Sequence, residues 1–106
     1  MLKGILEGCL LSIIDSREVY GYELYSILAE SGFEFVSEGS IYPLLLRMQK
    51  EQWITGYMKA ADKSGGPPRK YYRLTPEGEL VLQQFQEHWK HLKISVDHVL
   101  SKGDGR

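Results

Sequence analysis

Apolar side chains recur every three or four residues in three stretches of the N-terminal half, which is the spacing of one buried helix face. The first stretch ends near Asp15, the second covers about residues 21–30, and the third begins at residues 39–43. Their apolar positions are Leu2, Ile5, Leu6, Cys9, Leu10, Ile13 and Ile14, then Leu24, Ile27 and Leu28, then Ile41, Leu44, Leu45 and Met48. The pattern therefore predicts three amphipathic helices joined by short connectors.

The third predicted helix has a polar start and one polar face. Ser40 supplies a hydroxyl of the kind that caps a helix N-terminus. Pro43 then falls in the first turn, where its missing N–H costs nothing. With the apolar side buried, the opposite side carries Tyr42, Pro43, Leu46, Arg47 and Lys50. This outer face is a candidate functional surface.

Two stretches rich in aromatic and β-favouring residues follow, at residues 53–59 and 70–74. Between them, residues 64–68 read Ser-Gly-Gly-Pro-Pro. Glycines allow the chain to turn, and prolines cannot extend a strand ladder. We therefore expect a two-stranded ribbon with a protruding tip.

A long final helix is predicted to begin at Thr75-Pro76-Glu77, because threonine caps a helix, proline suits its first position and glutamate favours the positive end of its dipole. We expect it to end near Ser101, before a frayed tail at residues 102–106. One stripe of this helix has the alternating spacings of three and four residues that are typical of helix-to-helix packing. Its members are Leu82, Phe85, Trp89, Leu92, Val96 and Val99.

These elements predict a mainly α protein with a small β-hairpin, arranged as a winged helix-turn-helix with a long C-terminal dimerisation helix. The winged helix-turn-helix would occupy residues 1–75 and the dimerisation helix residues 76–101. At 106 residues the chain fits one hydrophobic core. The N-terminal apolar stretch is interrupted by Glu7 and Gly8 and has no cleavage site, so we expect a cytoplasmic protein without a membrane segment.

The charge is unevenly distributed along the chain. The formal net charge is −1, which argues against a protein that coats nucleic acid without selectivity. Between Lys59 and Arg73, however, five cations accompany the single anion Asp62. Positive charge is therefore concentrated in the predicted ribbon.

The sequence offers little support for catalysis or metal binding. Cys9 is the only cysteine and lies on an apolar helix side, which favours an inert buried thiol over a redox sensor. His88 and His91 share a helix face, and His98 follows, but no acidic or thiol partner is assured, so a solvated face is favoured over a metal site. We expect no enzyme activity, no metal and no cofactor.

A helix that reads duplex DNA presents polar side chains to the major groove, and cations beside it contact phosphates. The third helix and the ribbon provide such groups, which are Ser40, Tyr42, Arg47, Lys50, Lys63, Arg69 and Lys70. Taken alone, each residue is better explained as a solvated surface position than as a DNA contact, and the ribbon lysines have a solubilising hairpin as their alternative. The prediction of a DNA-binding surface rests on their arrangement.

Three motifs resemble the PadR family of bacterial winged-helix regulators, and the resemblance covers about residues 2–100. The first two are Tyr-Gly-Tyr-Glu-Leu at residues 20–24 and Gly-Ser-Ile-Tyr-Pro-Leu-Leu at residues 39–45. The third is Gly-Pro-Pro-Arg-Lys-Tyr-Tyr-Arg-Leu-Thr at residues 66–75. The chain departs from the family at Gln52, where glycine is usual, and at Tyr20, which replaces a common histidine.

The resemblance implies a repressor that binds an inverted-repeat operator as a homodimer. It implies DNA contacts from Tyr22, Ser40, Tyr42, Pro43 and Arg47, and phosphate contacts from the wing with Arg69 and Lys70. It also implies that the last helix packs on the N-terminal and last helices of the partner. The expected interface residues are Leu6, Cys9, Leu82, Phe85, Trp89, Leu92, Val96 and Val99.

The chain resembles the short branch of the family, whose multidrug-responsive members bind flat aromatic compounds at the dimer centre. Trp89 stands at the matching position, and ring stacking would hold such an effector. Trp89 as a simple filler of the dimer core is the equally supported alternative. For the whole chain, the rival hypothesis is a winged-helix module that serves protein–protein assembly without binding an operator.

Overall fold

The structure is a computed structural model that describes residues 2–60 and 65–104. It contains four α-helices, which are α1 (Leu2–Ser16), α2 (Gly21–Leu28), α3 (Glu38–Lys50) and α4 (Pro76–Asp104). A π-helical turn, Ala29–Phe33, extends α2 and contains Gly32 at a φ of 112°. The strands are β1 (Val19–Tyr20), β2 (Ile54–Lys59) and β3 (Arg69–Leu74). The fold is thus mainly α with a small antiparallel sheet and a long C-terminal helix, as predicted.

The sheet contains one strand that the sequence pattern did not predict. Its order is β1-β3-β2, and Val19 and Tyr20 pair with Tyr72 and Tyr71 of the central strand. A two-residue strand is too short for its alternation to be recognised beside the polar connector. β1 leads directly into α2, so the pairing fixes the helix-turn-helix against the hairpin.

The predicted start of α3 is wrong by three residues. Ser37, not Ser40, is the N-cap residue, and Pro43 lies inside the helix instead of in its first turn. Because proline has no N–H, the carbonyl of Gly39 receives no helical hydrogen bond from residue 43. At the other end of the chain, α4 continues to Asp104, three residues beyond the predicted end.

The core lies between α1, α2, α3 and the inner face of the sheet. α1 packs against each of the other three helices and against β3. The buried apolar residues are Leu6, Leu10, Leu11, Ile14, Val19, Leu24, Leu28, Val36, Ile41, Leu44, Leu45, Met48, Ile54, Tyr72 and Leu82. All four predicted stripe positions of α3 belong to this set, which leaves its opposite face outside the core.

A tight turn at Gln52 joins α3 to β2. Gln52 has a φ of 63°, in the left-handed region, and its N–H donates to the Gln49 carbonyl at 3.0 Å. The N–H of Trp53 donates to the Met48 carbonyl at 2.9 Å. This pair of bonds forms a Schellman motif, which usually has glycine in the left-handed position. Gln52 therefore adopts a backbone conformation that suits glycine, which adds strain.

We expect Gln52→Gly to stabilise the protein by about 0.5–1 kcal/mol, because glycine adopts a positive φ without steric cost. Thermal unfolding followed by circular dichroism measures the effect. The matched control is Gln86→Gly on the exposed face of α4, which should destabilise by a similar amount because glycine disfavours a helix interior. Destabilisation by both substitutions would contradict the strain at Gln52.

Candidate nucleic-acid interface

The outer face of α3 is uncovered and continuous. Tyr42, Pro43, Leu46 and Lys50 are exposed on it, on the side of the helix opposite the buried stripe. It combines a phenol, an apolar surface and an ammonium group. A helix with one buried and one open face of this kind fits the width of the DNA major groove.

Tyr42 is held in place by the helix before it. Its ring lies against Gly21 at the start of α2, where a Cβ would come within 2.7 Å of a Tyr42 ring carbon. Partial burial, and then the nearby carboxylate of Glu38, raise the pKa of Tyr42, so its hydroxyl remains a hydrogen-bond donor at neutral pH. Tyr22 is exposed on α2, with its ring 6.0 Å from that of Tyr25.

Two of the predicted contact residues on α3 already have partners within the chain. The hydroxyl of Ser40 shares a hydrogen bond with that of Ser37 at 2.8 Å. The Nη1 of Arg47 donates to Oε2 of Glu7 on α1 at 3.1 Å, and its guanidinium lies 5.3 Å from the centre of the Trp53 ring. Arg47 therefore lies on the α1 side of α3, at the flank of the outer face.

Lys70 connects β3, which with β2 forms the predicted wing, to α3. Its Nζ donates to Oε1 of Gln49 on α3 at 3.2 Å and lies 5.7 Å from the centre of the Tyr72 ring. The side chain reaches α3 by crossing Gly56, where a Cβ would overlap its Cε atom. Gly56 thus explains how a cation of β3 comes to lie beside α3. A glycine inside a strand is the sequence signal for such a close approach.

The outer face of the sheet alternates tyrosines and cations. The Arg69 guanidinium lies 4.5 Å from the centre of the Tyr20 ring, and that of Arg73 lies 4.3 Å from the centre of Tyr57. The rings of Tyr57 and Tyr71 stack with centroids 6.0 Å apart. Cation–π and ring contacts of this kind restrict the side chains they join. Arg69, a predicted phosphate contact, therefore packs against an ordered aromatic surface.

A small network of charged and polar side chains lies on the same face of the sheet. Glu18 accepts hydrogen bonds from the Lys59 ammonium group and, at 2.7 Å, from the Tyr57 hydroxyl. The bond from Lys59, followed by that from Tyr57, lowers the pKa of Glu18. In return, Glu18 raises the pKa of Lys59 and of Tyr57. Lys59 is thus neutralised locally and contributes little to the positive charge of the wing.

The sequence pattern did not indicate the residues that hold Arg47 and Lys70 in place. One further predicted contact falls outside the part of the chain that the structure describes. Lys63, an expected DNA contact, lies outside the described residues. Glu7 and Gln49, which bind Arg47 and Lys70, were not predicted as site residues. Their contacts span 40 and 21 positions, so no local pattern along the chain indicates them.

The stripe on α4 divides into a buried and an exposed part. Leu6 and Leu82 are each only 5% exposed and belong to the chain's own core, so they leave almost no surface for a partner subunit. Cys9 and Phe85 are partly buried, and burial raises the pKa of the Cys9 thiol. From residue 86 to residue 102 every side chain of α4 is exposed, including Trp89, Leu92, Val96 and Val99.

Trp89 lines a mainly apolar groove of about 550 Å³ between α1 and α4. Its other walls include Ile5, Phe85 and Leu92, with His88 and His91 at the same groove. His91 lies 3.7 Å from Glu87 in the preceding turn. Among residues 2–60 and 65–102, no three His, Cys, Asp or Glu side chains cluster closely enough to hold a metal ion. No helix in the described part of the chain is long and apolar enough to span a membrane.

A helix-turn-helix followed by a β-hairpin wing, with one open helix face beside the wing, defines the winged helix-turn-helix class of DNA-binding proteins. The chain belongs to the PadR-like family of transcriptional regulators, whose family profile matches residues 10–84. It is therefore a DNA-binding regulator, in a family of transcription factors and not of enzymes.

Solved structures of related regulators have the same fold over nearly the whole chain. A PadR-like transcriptional regulator from Bacillus cereus is 55% identical, with 94% of this chain and 95% of that one covered and a TM-score of 0.86. A Streptococcus transcriptional regulator is 45% identical, with coverage of 92% and 94% and a TM-score of 0.84. A PadR family regulator from Clostridium difficile is 32% identical, with coverage of 90% and 97% and a TM-score of 0.76.

Proposed function

We propose that the chain is a repressor that binds an inverted-repeat operator as a homodimer. In this proposal α3 enters the major groove, and the wing formed by β2 and β3 follows the sugar-phosphate backbone. The observation that carries it is the open outer face of α3, which Lys70 joins to the wing through Gln49. Helix and wing thereby present one continuous surface to a duplex.

The proposed contacts divide by chemistry. Hydroxyl groups donate to phosphate oxygens, Arg47 binds phosphate or guanine, and the lysines neutralise phosphates. Pro43 and the adjacent Leu46 add apolar surface that suits the methyl group of thymine. The proposed DNA-binding residues within the described chain are Tyr22, Ser40, Tyr42, Pro43, Arg47, Lys50, Arg69 and Lys70.

The homodimer is proposed from the exposed half of α4. Its apolar stripe continues past the end of the core and stays exposed, with no partner among residues 2–60 and 65–102. A second copy related by a two-fold axis would cover it, because the same stripe on both subunits is self-complementary. The proposed interface residues are Cys9, Phe85, Trp89, Leu92, Val96 and Val99.

We further propose that the groove beside Trp89 binds a small aromatic effector that releases the DNA. The support is the groove of about 550 Å³, whose lining includes Phe85 and Trp89 and which can stack on a planar ring. Packing of Trp89 in the dimer core alone is the alternative, and the two differ in whether a ligand changes the tryptophan fluorescence.

The experiment that tests the function is selection of bound fragments from random and genomic DNA by the purified full-length protein. We expect an inverted-repeat consensus whose binding weakens as salt rises, because phosphate contacts release counterions. The absence of salt-sensitive binding to any fragment would favour the rival function, a winged-helix module for protein–protein assembly.

We expect Lys50→Ala and Arg69→Ala each to weaken binding to the selected duplex at low salt. Each phosphate contact contributes about 0.9 to the slope of log affinity against log salt, so a dimer that loses one contact per subunit should lose about 1.8. Fluorescence anisotropy at four salt concentrations measures the slope. Lys90→Ala, on the exposed part of α4, is the control and should leave it unchanged. A salt slope equal to that of the wild type in all three variants would contradict the proposed surface.

For the effector, we expect a planar aromatic such as proflavine to quench the fluorescence of Trp89 in a Trp53→Phe background, which removes the second tryptophan. Stacking on the indole ring is the physical cause. Trp89→Ala should abolish binding of the dye, measured by dialysis, while the protein stays dimeric. Unchanged emission with a panel of planar aromatics would leave core packing as the role of Trp89.

A further inference from the structure

Glu7 is the only buried charged residue in the described part of the chain, with 6% of its surface exposed. A carboxylate removed from water is destabilising unless an opposite charge and hydrogen bonds compensate it. Arg47 provides both, through Nη1 at 3.1 Å from Oε2 of Glu7. α1 is thereby joined to α3 by one ionic contact.

The contact with Glu7 leaves hydrogen-bond donors of Arg47 available. It remains 46% exposed, and its guanidinium has five N–H donors in a planar fork, of which one is bound to Glu7. The centre of the Trp53 ring lies 5.3 Å from the central carbon of the guanidinium. Glu7 and Trp53 together restrict the guanidinium, and its side chain is still open to solvent at the flank of α3, so its other donors can meet another anion.

We propose that Glu7 is a positioning residue for DNA binding, which holds Arg47 so that the free donors of its guanidinium contact a phosphate. This inference rests on the proposed function. An arginine that is already ordered loses less side-chain freedom when it binds, and the fork geometry allows one guanidinium to serve two oxyanions. Because an unpaired Glu7 would be a buried charge without compensation, Arg47 keeps this bond when the phosphate arrives.

Competition between Glu7 and the phosphate for Arg47 would change the DNA affinity in the opposite direction. If Glu7 competed with the phosphate for Arg47, removal of its charge would release a cation to the DNA. Binding would then tighten, and the salt slope would steepen by about 1.8 for a dimer, since each subunit would gain one phosphate contact. Sharing and competition therefore predict opposite changes in affinity.

The test uses the full-length protein, the selected operator duplex and fluorescence anisotropy at several salt concentrations. Glu7→Gln should weaken binding about three- to tenfold without changing the salt slope, because it loosens Arg47 but keeps its charge. Arg47→Ala should weaken binding and reduce the slope by about 1.8. In the Arg47→Ala background, Glu7→Gln should have no further effect on DNA binding. Glu87→Gln on α4 is the control for loss of one negative charge.

Equal or tighter binding by Glu7→Gln overturns the proposal, as does a weakening that persists in the Arg47→Ala background. Thermal unfolding of each variant identifies loss of folding. If Glu7→Gln does not fold, Arg47→Lys decides the matter. It retains the charge but replaces the fork, so it should bind several-fold more weakly with an unchanged slope, and wild-type affinity would overturn the proposal. Failure of the wild-type protein to bind any selected duplex would instead overturn the proposed function.

Discussion

Gly78→Ala should destabilise the protein by about 3 kcal/mol, because the added methyl group has no space. Gly78 is in the first turn of α4, and a Cβ there would overlap the carbonyl oxygen of Trp53. That oxygen accepts hydrogen bonds from the N–H of Thr75 at 3.0 Å and from its hydroxyl at 3.1 Å. The obstacle is main chain, so relief requires α4 to move away from the turn before β2. Thermal unfolding should show a midpoint lowered by 10 °C or more, at roughly 4–8 °C per kcal/mol.

Gly39→Ala is the matched control, since Gly39 also lies in the first turn of a helix and no atom stands within 4 Å of an added Cβ. It should unfold at or slightly above the wild-type temperature, because alanine favours a helix. Both variants are compared at one protein concentration, since association shifts the midpoint. A midpoint for Gly78→Ala within a degree of wild type would contradict the described docking of α4.

Leu92→Glu should convert a homodimer into a monomer. Leu92 is at the centre of the exposed α4 stripe, with 41% of its surface accessible within one chain. In the proposed dimer this substitution would bury a carboxylate without a partner on each subunit, which is strongly unfavourable. Light scattering coupled to size exclusion should give about twice the 12.2 kDa chain mass for the wild type and the chain mass for the variant.

Ile94→Glu provides the control on the same helix. Ile94 is 61% exposed and points to the opposite side of α4 from the stripe, two positions after Leu92. It should remain dimeric, because its new charge stays in water. A monomeric wild type at micromolar concentration, or loss of the dimer in Ile94→Glu alone, would contradict the stripe as the interface.

Most of the fold could be predicted from the chain because its helices have strong local signals. The periodic stripes gave the buried face of α3, and Thr75-Pro76 gave the start of α4, where the Thr75 hydroxyl accepts from the N–H of Gly78 at 2.9 Å. β1 was missed because two residues cannot display an alternation. The start of α3 was displaced because two serines precede its apolar stripe, and the farther one, Ser37, is the cap.

The candidate site was less predictable than the fold, because its side chains depend on contacts across the chain. The residue types of the outer face of α3 were evident from its helical period. Whether Arg47 is free or bound is decided by Glu7, 40 positions away. Whether Lys70 reaches α3 is decided by the missing side chain of Gly56. Helical periodicity predicts which face a residue occupies, but the partner it meets there is set by tertiary packing.

The division of the apolar stripe illustrates the same limit. The spacing of Leu82, Phe85, Trp89 and Leu92 is continuous, and the sequence predicted one interface from it. In the fold, α1 covers the beginning of the stripe, where Leu82 is buried and Phe85 is partly buried, while Trp89 and Leu92 are exposed. A periodic apolar stripe therefore predicts that something packs on it, without separating contacts within the chain from contacts with a second copy.

Hydroxyl-radical footprinting of the wild-type protein on its selected duplex tests the central claim most directly. A homodimer with α3 in the major groove should protect two backbone patches on each strand, related by a two-fold axis and separated by about one helical turn or a multiple of it. The protection should fade as salt rises. A single patch without two-fold symmetry, or no protection at any salt concentration, would contradict the account.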